Sequence, residues 1–432
     1  MKHLMLFCVL VWGLLSGITA QEDGSDDERL QSTYFYTYPA STGNRVVMGR
    51  GTFPNVRAVD LTLAGTPVWL VGAPLPDGLF TWIVALENGD IQGTFPDGST
   101  GLSLSAALSE IVSAGTPPVF TLNEIGAFPE ENIPADASPL THPTYTDTRS
   151  VYVAADGAVV LRDTLADEEL LRLPFGALPD ARLVLNSDQT QAAVIVGATN
   201  TRYVHDVLGD DLEGAALMVL DLETGSVPTI IDLPGDEVFE GIAPIWADVD
   251  EDGTDDLITT VSSSGSGAQL RVYRAADGSL LASGEAIGQS NRWRHQLAWG
   301  AFGPNGENEL VEVLTPHLGG VVGFYRYNGT ATLERVAELP GYTSHIIGTR
   351  NLDMAVAGDF NGDGQPEIVL PDQARGRIAG LQRGAEGTVR EVWTLPLEGT
   401  AVTNLAAITL EDGRLALAVG LAEGRLRAWL PS

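Results

Sequence analysis

Six times along the chain the apolar positions form a pair of β-rich runs, separated by a short turn with an acidic or amide residue close to a glycine. The pairs are TWIVALENGDIQGTF (81–95), VYVAADGAVVLRDT (151–164), MVLDLETGSVPTII (218–231), LRVYRAADGSLLAS (270–283), VGFYRYNGTATLERV (322–336) and IAGLQRGAEGTVREVW (378–393). Such a pattern predicts β-hairpins. Glycine reaches the positive φ of a tight hairpin turn without steric cost, which accounts for its place at 89, 157, 225, 278, 329 and 387.

Successive turn glycines lie 68, 68, 53, 51 and 58 residues apart. In the fourth repeat two more strand-like runs, GIAPIWADV (241–249) and DLITTVS (256–262), precede the hairpin and make four strands per unit. Four-stranded units with a period near 50 predict β-propeller blades. A seventh unit, 405–432, holds about three strands and then stops. An open blade leaves an unpaired edge, so an N-terminal strand is expected to complete it, with STYFYTYP (32–39) or NRVVMG (44–49) as candidates beside RLRAWL (425–430). The expected fold is thus all-β, a seven-bladed propeller of four-stranded antiparallel blades spanning 33–432, closed by strands from both ends. Residues 99–150 fit this scheme least, and LSLSAALSEIVSAG (102–115) reads as a short helical insert.

The start of the chain is different. Residues 1–20 open with Lys2, run apolar from Leu4 to Leu15 and end in small residues, a cleavable secretory signal too short to span a bilayer. The polar, acidic stretch 21–32 reads as a disordered leader. These two readings predict a secreted protein, extracellular or periplasmic. The only cysteine, Cys8, lies in the signal, so the mature chain has neither disulfides nor thiolate ligands. Lys2 is the only lysine, which excludes lysine Schiff-base chemistry thereafter. Beyond residue 20 there are 23 basic and 57 acidic side chains, a net charge of −34. Such a field argues against nucleic acid or anionic lipid as partners.

Acidity is concentrated in two related stretches, DVDEDGTDDL (248–257) and DFNGDGQPEI (359–368). Asp248, Asp250, Asp252, Gly253 and Asp256 align with Asp359, Asn361, Asp363, Gly364 and Glu367. Oxygen ligands at alternate positions, with a glycine for the sharp turn, describe a loop folded around a hard cation. Two carboxylates ~4–5 Å apart repel by ~3–4 kcal/mol at an effective dielectric near 20, and a divalent ion reverses that sign. With neither histidine nor thiol in the set, calcium or magnesium is expected over zinc, and a crowded flexible loop favours calcium. The loops are not EF-hands. Thr259 and Leu370 stand where a bidentate glutamate belongs, and β segments follow.

These loops resemble those of the FG-GAP/VCBS repeat family, calcium-binding β-propellers of the kind found at the N-terminus of integrin α chains, with the form D-x-[DN]-x-D-G-x-x-[DE]-[LI]. The repeat layout extends the resemblance over roughly 45–432. It implies two structural calcium ions held by the aligned side chains, with Thr254 and Gln365 adding backbone carbonyls, and a binding or interaction function. AFGPNGENEL (301–310) keeps Glu309 but has Ala301, Gly303 and Asn305 at ligand positions, so no ion is expected there. LVLNSDQTQA (183–192) and ITLEDGRLAL (408–417) are weaker echoes.

Four of the five mature histidines, His205, His295, His317 and His345, fall in segments expected on the propeller face opposite these loops. Arg292, Trp293, Arg294, Tyr342 and Arg350 accompany them. A positive, stacking-capable surface made by Arg292, Trp293, Arg294, His295, His317 and His345 would suit sugars or carboxylates. Three functions fit: an extracellular module binding protein or carbohydrate; a polysaccharide-active, uronate lyase-like enzyme with a histidine base and arginine carboxylate neutralisers; or a quinone dehydrogenase-like propeller. The last rests on a loose similarity in VYRAADGSLLASG (272–284) and lacks that group's repeated tryptophan pattern. Neither G-x-S-x-G, H-E-x-x-H, a P-loop nor a dinucleotide fingerprint is present.

Overall fold

The computed structural model describes residues 33–75, 79–94, 100–104, 116–123, 126–130 and 133–431. The expected signal and leader lie outside them. So do residues 105–115 of the expected helical insert, whose positions 102–104 instead belong to the strand Thr100–Leu104. Among the described residues every regular element is a strand, and no helix is long and apolar enough to cross a membrane.

Each hairpin read from the sequence is an antiparallel strand pair. Its turn glycine has positive φ, 87° at Gly89 and 74° at Gly387. Seven four-stranded antiparallel units emerge among the described residues: 67–104, 144–173, 184–232, 245–283, 294–340, 356–396, and 401–431 with 56–62. The short strand Val238–Phe239 links the third unit to the fourth. A further, three-stranded sheet of Thr33–Phe35, Phe120–Asn123 and Gly126–Pro129 stands outside the seven expected units.

Burial explains the strand patterns. Asp256–Ser262 and Leu415–Leu421 are buried at every position, because both faces are covered by neighbouring sheets. The last strand of a unit, such as Val389–Pro396, lies outermost and alternates toward solvent. Apolar clusters sit between consecutive units. Leu70, Trp82, Ala418 and Leu426 join the last unit to the first, and Val71, Ile83 and Phe120 join the first to the three-stranded sheet. Tyr34 of that sheet stacks on Tyr145 at 4.5 Å. Further clusters join the units from 144 to 283, then 245–283 to 294–340, 294–340 to 356–396, and 356–396 to the last.

The strand pairing with Arg425–Pro431 is Val56–Thr62, in register from Val56↔Pro431 to Thr62↔Arg425. This corrects the expected closing strand, since neither 32–39 nor 44–49 pairs there. The first supplies Thr33–Phe35 to the three-stranded sheet, and the second belongs to a strap, residues 36–53, along the inner edges of successive units. The amides of Leu185, Trp246 and Ala357 donate to the carbonyls of Ser41, Thr42 and Arg45 at 2.8–3.0 Å. Asn44 exchanges two hydrogen bonds with the Trp299 backbone, and the amides of Arg50 and Phe53 reach the Gly413 and Phe360 carbonyls. Val59, Asp60 and Leu61 then continue into the pairing with the last unit. There Arg427 holds Asp60 through two hydrogen bonds of 2.8 and 2.6 Å.

Leu61 is the one fully buried side chain of its strand, packed with Leu86, Leu426 and Ala428. Leu61→Ala should cost about 2–5 kcal/mol of stability, against under about 0.5 for the exposed neighbour Thr62→Ala. Chemical denaturation of the two variants checks this, and equal costs would contradict the closure described.

Candidate functional site

The two acidic loops occupy the same place in two units, between the first strand and the second. In each, a loop glycine in the left-handed region, Gly253 at φ 89° and Gly364 at φ 91°, lets the backbone turn back on the first carboxylate. The Gly253 and Gly364 amides donate to Asp248 and Asp359, both at 3.0 Å. The last carboxylate of each loop is buried and accepts from a backbone amide, Asp256 from Val249 at 3.2 Å and Glu367 from Phe360 at 2.8 Å.

In the first loop, oxygens of Asp248, Asp250 and Asp256 all lie within 4.8 Å of one another. Oxygens so spaced could share one hard divalent cation, since ligands ~2.3–2.6 Å from such an ion lie at most ~5 Å apart. Asp250 Oδ1 is buried with no hydrogen-bond partner. Asp252 instead accepts from the Thr254 amide at 2.9 Å and from its hydroxyl, and Arg274 bridges Asp250 and Asp252 at 2.8 and 3.6 Å. In the second loop Asp359 Oδ1 and Glu367 Oε1 are the buried oxygens without partners. Asp363 is held by Gln382 at 2.9–3.0 Å and by Asn361, while the Gln365 amide group ties the loop to the Phe302 and Arg383 carbonyls. Arg50 of the strap stands 3.4 Å from Asp359. The all-oxygen donor sets and the orphaned carboxylate oxygens fit a hard divalent cation. Asp248, Asp250 and Asp256 would hold one, and Asp359 and Glu367 the other, and the ion would supply charge neutralisation and cross-linking.

The third loop shows what happens where ligands are missing. Glu309, the counterpart of Asp256 and Glu367, is fully buried but paired to Arg326 at 2.7 Å and Arg383 at 2.9 Å. Asn305 turns to Glu307 instead of inward. Asp256 and Glu367 have no comparable arginine pair. Burial pushes Asp256 up to about 7 and Glu367 up to about 8, the nearby Asp250 and Asp363 adding to the respective shifts.

The expected ligand face divides. Trp293, His295, His317 and His345 come together: the indole stacks on His295 at 4.8 Å and on His317 at 6.0 Å and meets His345 edge-on at 5.1 Å. His345 Nε2 donates to the Thr349 carbonyl, so its Nδ1 accepts from His317 Nε2 at 2.8 Å, and His295 Nδ1 pairs with Ser344 Oγ at 2.8 Å. Trp293, His295 and His345 are each 2% exposed. Burial holds all three histidines well below the usual range, His317 at about 4 and His345 at about 3.

Arg292 and Arg294 do not join them. Arg294 opens a strand that points it away from Trp293 and His295, into a buried pair with Glu312 at 2.5 Å, with Tyr325 Oη at 2.9 Å. Arg292 bonds the carbonyl of its neighbour Asn291. His205 pairs with Glu240, Arg350 with Asp180 and Asp210, and the Tyr342 hydroxyl donates to Glu391. Period-two alternation already separates 294 from 293 and 295. Sequence reasoning passed over Arg45, Arg182, Asp353 and Ser344, which stand beside this cluster.

No family model matches the chain, and no curated protein does. Solved structures do resemble it. BamB from Moraxella catarrhalis is 16% identical with a TM-score of 0.50, over 87% of this chain and 99% of that one. A europium-containing methanol dehydrogenase is 8% identical at 0.54 over 90% of each chain. The quinohemoprotein alcohol dehydrogenase of Comamonas testosteroni is 11% identical at 0.54, over 89% and 79%. At such identities the likeness concerns fold alone, and it places this chain among β-propellers.

The loops predict an inverted pH dependence. Without an ion, the folded chain keeps protons on Asp256 and Glu367 that the unfolded chain releases near pH 4, so the contribution of these two groups to stability falls as pH rises from about 4 to about 8. The buried neutral histidines act in the opposite sense below about pH 6.5 and are common to protein and variant. In chelator, the melting midpoint of Glu367→Gln relative to the unsubstituted protein should therefore rise between pH 5 and pH 8. An identical pH dependence in the two proteins would contradict the geometry described.

Proposed function

We propose that this chain is a secreted, calcium-stabilised β-propeller of FG-GAP/VCBS-like repeats that serves as an extracellular or periplasmic interaction module for a protein or carbohydrate ligand. The seven four-stranded units and the three-stranded sheet form one closed ring of eight, one more than the seven expected from the sequence. The succession of apolar clusters from each sheet to the next, returning from the last unit to the first, supports this.

The observation that carries the interaction reading is how the residues of the would-be catalytic face are used. Trp293, His295 and His345 are packed and hydrogen-bonded inside, and Arg294 neutralises Glu312. A uronate lyase needs its base and its carboxylate-neutralising arginines to converge on an open cleft. Among the side chains that the loops around this cluster do expose are three large aliphatic ones. Val204, Leu318 and Ile347 are 38%, 65% and 62% exposed. Their loops adjoin through the Gly348 amide on the Val207 carbonyl and through the His317–His345 contact. Large exposed aliphatic side chains on adjoining loops suit a protein partner.

Two measurements test this. Calcium should raise the melting midpoint of chelated protein by mass action, and Asp250→Asn combined with Glu367→Gln should remove most of that rise. An unchanged melt after exhaustive chelation would sink the calcium assignment. Glycan-array binding and uronate lyase assays on the purified protein address the rest. Turnover of a uronate polymer would overturn the interaction reading. Ligand binding that Leu318→Asp weakens at least tenfold, at unchanged melting temperature, would support it.

A further inference from the structure

Near the inner strands two guanidinium groups share one carboxylate. Arg182 holds Asp353 through two hydrogen bonds of 3.0 and 2.9 Å, and Arg45 reaches the same group at 3.3 Å. All three side chains are at most 6% exposed. The neighbouring imidazoles are neutral, so they neither add to this positive surplus nor offset it. Burial first, and the nearby arginines second, keep His142 at about 4 and His295 well below its ordinary range. The cluster therefore carries a net charge of about +1 in a dry place, where an unbalanced charge costs several kcal/mol.

Arg45 is also incompletely bonded. Its terminal nitrogens donate to the Gln296, Leu297 and Leu352 carbonyls, but its Nε is buried with no partner. Burial, with Arg182 adding, lowers Arg45 to about 10, the sign of a guanidinium short of negative charge despite Asp353. Beside it is a cavity of about 20 Å³, lined by Arg45, Arg182, Trp293, His295 and Gln296 and by the segment 241–245. That is room for about one water-sized occupant.

We propose that this cavity is a halide site, taking a single monovalent anion, chloride in ordinary media, between Arg45 and Arg182. A monatomic anion fits where sulfate or a carboxylate ligand does not. Water would fill the space but leave the surplus charge standing. The site is selective by location as well. A chain with a formal charge of −33 repels anions from its surface, so saturable halide binding needs a concentrated interior positive charge of this kind.

The test is a chloride titration of the full chain, exchanged into sodium gluconate, at constant ionic strength. The melting midpoint should rise saturably, by about 2–5 °C at concentrations well above Kd, equally with bromide and not with sulfate. Arg45→Gln should abolish the rise; a rise retained in that variant would place the halide elsewhere and overturn the assignment. Should Arg45→Gln not fold, crystals of the unsubstituted protein grown in bromide decide the matter. An anomalous peak between Arg45 and Arg182 supports the site, and water alone in the cavity overturns it.

Discussion

A sheet edge with unpaired amides and carbonyls cannot be left bare, and this structure is organised around meeting that requirement. Each unit has an inner edge and an outer one, and the outer strand can turn its alternating polar face to water. The inner edges cannot. The strap from Tyr36 to Phe53 serves five of them in turn, bonding Leu185, Trp246, Trp299, Ala357 and then the Gly413 turn. Because the strap is followed by the strand that completes the last unit, inner-edge satisfaction and closure are one continuous piece of chain. Arg45, which forms part of the buried triad with Asp353, and Arg50, beside Asp359, are both carried on it.

Three buried carboxylates at equivalent positions illustrate one electrostatic problem with two solutions. Glu309 is satisfied from within, by Arg326 and Arg383. Asp256 and Glu367 are surrounded by further acidic groups and keep unpartnered oxygens nearby. In a chain with 57 acidic side chains and only 23 arginines, internal cations run out, and an external divalent ion is the economical alternative. The two solutions are not wholly separate, since Arg274 already leans on Asp250 and Asp252.

Much of this was legible from local patterns. Hairpins declare themselves over about fifteen residues, and the acidic loops over ten, because the physics involved is local: a positive φ, alternating burial, ligand oxygens two residues apart. The three-stranded sheet was not legible, as its strands come from 33–35 and 120–129 and share no single hairpin turn. The closing strand was missed for a related reason. VRAVDLT buries only Leu61 fully and presents Arg57 and Asp60 outward, so it looks less β-like than the aromatic STYFYTYP upstream. Arg294 is a different case, readable in principle, since alternation alone sets it opposite Trp293 and His295. The triad of Arg45, Arg182 and Asp353 joins residues 171 and 308 positions apart, and nothing local marks any of them.

The pairing of Val56–Thr62 with Arg425–Pro431 also governs how the molecule can be made. Synthesis delivers Val56–Thr62 roughly 370 residues before Arg425–Pro431, its one neighbour among the described strands. Until then the strap has inner edges to bind only as each unit appears, and the first strand of the pair waits with an open ladder. Contacts of such long range are slow to form and leave intermediates exposed to aggregation. A chain exported before it folds would meet this difficulty outside the cytoplasm, where assembly must start from a complete polypeptide. The pair therefore sets a minimum length for assembly: no fragment that stops short of residue 425 holds both of its strands.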